Sequence, residues 1–128
     1  MIFESYPDES DSGVLTRLFS SRAVAQILDF FLDHKEFDYS VNEISQKTGL
    51  SFRTIFREIP DLERIQLIYN SRRIGKTNMY KLNTDLSAVL LLEKFVLELS
   101  QLRPFIDKQI DSDNLIAQRN TQNANTML

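Results

Sequence analysis

The side chains best equipped for directional chemistry fall into two short clusters. Ser51, Phe52, Arg53, Thr54 and Arg57 form one, and Arg72, Arg73 and Lys76 form the other. A guanidinium fork donates paired hydrogen bonds to a planar or anionic acceptor, a hydroxyl donates or accepts singly, and a phenyl ring packs on methyl groups. These types suit an extended anionic surface. Covalent and acid–base chemistry fit poorly: the chain has no cysteine and one histidine, so no nucleophile, base and orienting group assemble into a recognisable motif, and no enzyme is expected. His34 falls near the end of a helical stretch, where a capping role suits it better than catalysis or metal binding. Asp29, Asp33, Glu36 and Asp38 lack the spacing of a cation loop, and the absence of cysteine excludes disulfides and thiolate zinc sites. Gly75 reads as a turn glycine and belongs to no phosphate loop. No metal, cofactor or small-molecule ligand is implied.

Periodicity says which elements must carry these side chains. Leu15, Leu18 and Phe19 have helical spacing and predict a short helix lying on the core. Ser20 or Ser21 then caps a helix to about His34, with Val24, Ile27, Leu28 and Phe31 on one stripe. His34 to Tyr39 reads as a surface loop. Ser40 and Glu43 match a capping box for a short helix from Val41 to Thr48, with Val41 and Ile44 facing inward. Gly49 ends that helix, Leu50 enters the core, and Ser51 caps the next, whose inward stripe is Ile55, Ile59, Leu62 and Ile65. Pro60 predicts a kink or restart near Ile59. The strand-like runs Leu67 to Ile74 and Asn78 to Asn83, joined through Gly75, make a β-hairpin with Arg72, Arg73 and Lys76 near its tip. Ser87 caps a last helix from Ala88 to about Arg103, interrupted by Pro104.

With 128 residues, 42% of them hydrophobic, the chain supports one core and little more. Residues 1–13 are acidic and predict a flexible arm, residues 14–103 one domain, and residues 104–128 a polar, disordered tail. The first residues lack the basic and apolar regions of a secretory signal, and no apolar run is long enough for a bilayer, so a cytoplasmic location without membrane contact is expected. The net charge is −3, yet Ser51 to Asn83 holds seven basic residues against three acidic, a local +4. Such polarity would turn one face toward phosphates.

The words Leu18, Phe19, Ser20, Ser21 and Ile27 to Leu32 resemble the opening helix of the archaeal-type winged helix-turn-helix transcription regulators, broadly similar to ArsR- and MarR-type domains. Asp38, Tyr39, Ser40 with Glu43, Ile44 and Gly49, Leu50, Ser51 look like their helix-turn-helix. Leu62, Glu63, Ile65, Leu67, Ile68, then Arg72 to Gly75 and Tyr80 to Asn83, look like their third helix and wing. Gln66 stands where such domains usually have a glycine. The resemblance covers Val14 to Leu102 and implies a mainly α fold with a small β-hairpin and an extra C-terminal helix.

It further implies a sequence-specific partner, double-stranded DNA. A helix from about 51 to 59 would enter the major groove, with Arg53 or Arg57 on guanine, Ser51 and Thr54 on phosphate or base, and Phe52 on thymine methyls or in the core. Arg72, Arg73 and Lys76 would reach flanking backbone or minor groove from a wing over 67–83. The stripe Val89, Leu92, Phe95, Val96, Leu99 and Leu102 is broad enough to pair with a twin, so a homodimer is expected. The alternative is a winged-helix module that binds a protein partner or serves DNA partition.

Overall fold

The computed structural model describes residues 13–107, and almost all of the expected N-terminal arm and C-terminal tail lies outside them. The elements run α1 (Val14–Leu18), α2 (Arg22–Asp33), α3 (Val41–Thr48), α4 (Phe52–Arg64), β1 (Ile68–Ile74), β2 (Thr77–Leu82) and α5 (Ser87–Gln101). The chain divides into two units, one ending at Val89 and one beginning at Leu90.

Local signals account for the helix boundaries. The Ser21 hydroxyl accepts from the Val24 amide at 3.3 Å and so caps α2. At the far end His34 is the C-cap, and its Nδ1–H donates to the Phe30 carbonyl at 2.8 Å, which satisfies an orphan acceptor of the last turn. The capping box of α3 is complete: the Glu43 amide donates to Ser40 Oγ at 3.2 Å and the Ser40 amide donates to the Glu43 carboxylate at 3.1 Å. Gly49 closes α3 at φ +79°, a left-handed conformation that favours glycine. Across this turn Ser45 Oγ donates to the Leu50 carbonyl at 2.6 Å, fixing where α4 begins.

α2, α3, α4 and the hairpin enclose one core. Ile27, Phe31, Ile44, Ile55, Leu62, Ile68, Leu82 and Val89 are its fully buried members, with Val24, Leu28 and Ile59 beside them. Leu18, Val41 and Leu50 pack on its edge. Three expectations are corrected. Leu15 and Phe19 are exposed, because α1 is a single turn that turns only Leu18 onto the core. Ile65 is 46% exposed because it is the C-cap of α4, where the inward stripe has ended. Pro60 neither ends nor restarts α4, which runs unbroken to Arg64. Phe56 and Pro60 are both exposed, so solvent can take the Phe56 carbonyl that proline leaves without an amide partner.

α4 ends in a Schellman motif. The Gln66 amide donates to the Glu63 carbonyl at 2.9 Å and the Leu67 amide to the Leu62 carbonyl at 3.0 Å, while Leu62 and Leu67 are buried together in the core. The motif needs a left-handed residue, and Gln66 has φ +69°. The backbone geometry is therefore the one a glycine would serve, held by a residue with a Cβ. Gln66→Gly is expected to stabilise the fold by about 0.5–1 kcal/mol, relief of left-handed strain exceeding the added freedom of the unfolded chain. A urea midpoint that rises checks this; one that falls contradicts it.

β1 and β2 pair antiparallel, with Ile74 opposite Thr77 across the Gly75–Lys76 turn. Gly75 takes φ +60° there, as the first central residue of a tight hairpin turn requires. Tyr39 is no plain loop residue: its amide and carbonyl both bond Tyr80 at 2.8 Å, adding a one-residue bridge beside β2. In the second unit, residues 103–107 are helical where the sequence predicts the beginning of a tail. Pro104 lies in the first turn of that segment, where its missing amide costs nothing. Among the described residues no helix is long and apolar enough to cross a membrane.

Candidate nucleic-acid interface

The first turns of α4 stand out from the core. Ser51 caps the helix, accepting from the Thr54 amide at 3.1 Å and donating to the Thr54 hydroxyl at 3.0 Å. Both hydroxyls are thus used locally, with lone pairs to spare for another donor. Ile55, Glu58, Ile59 and Leu62 are buried, which turns Arg53 and Arg57 outward one helical turn apart. Phe52 and Phe56 lie one helical turn apart on the flank, 49% and 60% exposed. Phe52 is therefore not a core residue, and Phe56 belongs to the site although the sequence reading passed over it. Its signal was present, since it shares a face with Phe52 at i, i+4.

Glu58 explains how α4 is held. Its carboxylate is buried and accepts from the Ser21 hydroxyl at 3.3 Å and from Arg57 Nε at 3.0 Å. The cap of α2 is thereby tied to the middle of α4. Arg57 keeps its terminal nitrogens, and its side chain is still 63% exposed. Among the described residues Arg53, Arg73 and Lys76 make no ion pair.

The hairpin contributes Arg73 and Lys76 directly, and Arg72 differently. The pairing shifts between Asn70 and Arg72, leaving Ser71 as a bulged residue. A bulge re-aims side chains. Here Ser71 Oγ donates to Asp38 at 2.6 Å, and Arg72 donates to both Asp38 oxygens, at 2.7 and 3.1 Å. Arg72 is thus first a clamp that fastens the hairpin to the loop before Tyr39. Its guanidinium neutralises Asp38, which, with the Ser71 hydroxyl, holds that carboxyl at about 2, below the usual carboxylate range.

A folded-state value below the unfolded one means that the ionised clamp stabilises the fold. That contribution is complete above the unfolded value near pH 4 and is lost as pH falls through about 2. Wild type should therefore melt above Asp38→Asn at neutral pH, and the two melting temperatures should converge by about pH 2. A gap that persists unchanged at pH 2 would contradict the clamp.

A groove of about 260 Å³ is lined by Phe52 and Phe56 of α4, by Lys76, Thr77 and Asn78 of the hairpin, and by Asn42 of α3. Among the described residues no cluster of three or more His, Asp or Glu side chains is placed to hold a metal.

One expected dimer residue is misplaced. Val89 is fully buried in the core of the first unit and cannot also face a partner. Of the others, Leu92 and Val96 are half-buried, while Phe95, Leu99 and Leu102 are exposed. Leu91 is exposed too and extends their stripe by one turn.

A helix-turn-helix followed by a two-stranded wing defines the class: this is a winged helix-turn-helix protein. HlyU from Vibrio cholerae N16961 is similar to it with a TM-score of 0.54 and 26% identity, over 67% of this chain and 87% of that one. MepR, a transcription regulator of the Staphylococcus aureus multidrug efflux pump MepA, aligns with a TM-score of 0.57 and 17% identity, over 89% of this chain and 84% of its own. MepR is also known in complex with DNA. Mb0332 from Mycobacterium bovis, a homodimeric winged helix-turn-helix DNA-binding domain and possible ArsR-family regulator, has a TM-score of 0.52 and 21% identity, over 68% of this chain and 75% of that one. No family model and no curated protein matches the chain.

Proposed function

We propose that this chain is a sequence-specific, double-stranded DNA-binding transcription regulator of the archaeal type, not an enzyme, acting in the cytoplasm as a homodimer. The observation that carries the reading is the outward pair Arg53 and Arg57 on the Ser51-capped helix, in the segment of local +4 charge. α4 enters the major groove with Arg53 and Arg57 toward base edges and Ser51 and Thr54 toward phosphate or base. Arg73 and Lys76 reach flanking backbone or minor groove, and Arg72 supports them through Asp38. The structural likeness to MepR and Mb0332 supports this placement.

Phe95, Leu99 and Leu102, with Leu91, supply the dimer contact, because an apolar stripe left in water invites association. Two reading helices then address half-sites about 34 Å apart, one turn of DNA. The test is fluorescence anisotropy on a labelled duplex over a range of salt. Binding should weaken steeply with salt, and Lys76→Ala should reduce the slope of log affinity against log salt by about one on every sequence tried. A slope unchanged in Lys76→Ala would remove the wing from the interface.

A second reading, a module for a protein partner, draws on the exposed Phe52–Phe56 pair. In that case Arg53→Ala and Lys76→Ala would leave function intact.

A further inference from the structure

We propose that the N-terminal residues 1–12 dock into the groove lined by α4 and the hairpin and compete with DNA, an inference that rests on the DNA-binding reading above. The groove joins two chemistries: the apolar side chains of Phe52 and Phe56, and the basic side chain of Lys76. Residues 1–12 read MIFESYPDESDS. They carry Glu4, Asp8, Glu9 and Asp11 with no basic residue, and the apolar Ile2, Phe3 and Tyr6. The segment thus offers rings for the two phenylalanines and carboxylates for a cation that would otherwise meet phosphate. Against the +4 of Ser51–Asn83, it has the opposite sign and comparable size.

The tether permits it. α1 is five residues long and three more lead to Ser21. A helix rises ~1.5 Å per residue and an extended chain at most ~3.5 Å, so Gly13 is within about 20 Å of Ser21. Ser21 is hydrogen-bonded to Glu58, less than one helical turn from Phe56. Gly13 therefore lies within roughly 30 Å of Phe56, and the ten residues back to Phe3 can span about 35 Å. Tethering at that range gives an effective concentration on the order of millimolar, so even a contact of millimolar strength is populated. Its removal should then tighten DNA binding about two- to ten-fold.

Two readouts on the full chain test this. The protein has no cysteine, so Ser5→Cys provides a single attachment point for a spin label. With the label in its paramagnetic form, the amides of Asn42, Thr77 and Asn78 should broaden. Ile2→Ala/Phe3→Ala, which keeps the charge constant, should abolish the broadening and tighten DNA binding two- to ten-fold at low salt. Broadening that is absent, or that falls elsewhere, overturns the docking. Broadening of an unlabelled, isotope-enriched copy mixed with a labelled one assigns the groove to a second chain's segment and overturns the intramolecular contact. Unchanged DNA affinity in the double variant overturns the competition. If no variant binds DNA, the DNA reading and the competition fall together, while the broadening still decides the docking.

Discussion

Arg53→Ala is expected to weaken binding to the cognate duplex about 5- to 150-fold, the equivalent of about 1–3 kcal/mol for a lost base-edge contact. Arg53 is the sharper choice over Arg57, because no partner in the described structure restrains it, whereas Arg57 also bonds the buried Glu58. Removing Arg57 would confound a lost DNA contact with a disturbed carboxylate; Arg53→Ala leaves the core and the cap of α4 intact. Its loss should fall mainly on the cognate sequence, with a smaller, salt-dependent loss on random duplex. Competition titrations with both duplexes separate the two. Equal losses on both would demote Arg53 to a phosphate contact, and no loss on either would remove it from the interface.

Phe31→Ala should have the largest effect on stability. Phe31 is fully buried at the C-terminal end of α2's inward stripe, and its ring meets that of Phe30 edge-to-face at 5.3 Å. Truncating such a phenyl ring costs about 3–5 kcal/mol, from lost burial and the cavity left behind. Small domains have only about 5–15 kcal/mol in total, so the variant should be marginal at 37 °C. The urea midpoint should fall steeply with an unchanged slope. A midpoint close to wild type would mean that α2 can collapse onto the gap left where Phe31 is fully buried.

The helix-turn-helix was legible in the sequence because its signals are local. Ser40 with Glu43, Gly49 and Ser51 each act within four residues, and the bounds of α3 are the ones they predict. What the sequence hid is non-local. Asp38 reads as one acid among several until the Ser71 bulge brings Arg72 back to it across 34 positions. Tyr39 bridges to Tyr80 as a single residue, too short to leave a periodic pattern. Val89 shares helical spacing with Leu92 and Phe95, and periodicity alone cannot say where core burial stops along α5. The restart expected at Pro60 is absent for a related reason: the cost of a proline depends on whether solvent reaches the freed carbonyl, and exposure is a tertiary property. At the site, Arg53, Arg73 and Lys76 lie on the surface where the sequence puts them, whereas Arg72 has a structural partner and Phe56 was overlooked beside Phe52.

The central claim is that the α4 face and the wing bind DNA by sequence. The most direct measurement is a mobility shift on the DNA upstream of the protein's own gene, at two salt concentrations, with excess unrelated duplex as competitor. A retarded complex that survives the competitor and weakens at the higher salt is the expected result. No complex at either salt would contradict it and favour a protein partner for the same face.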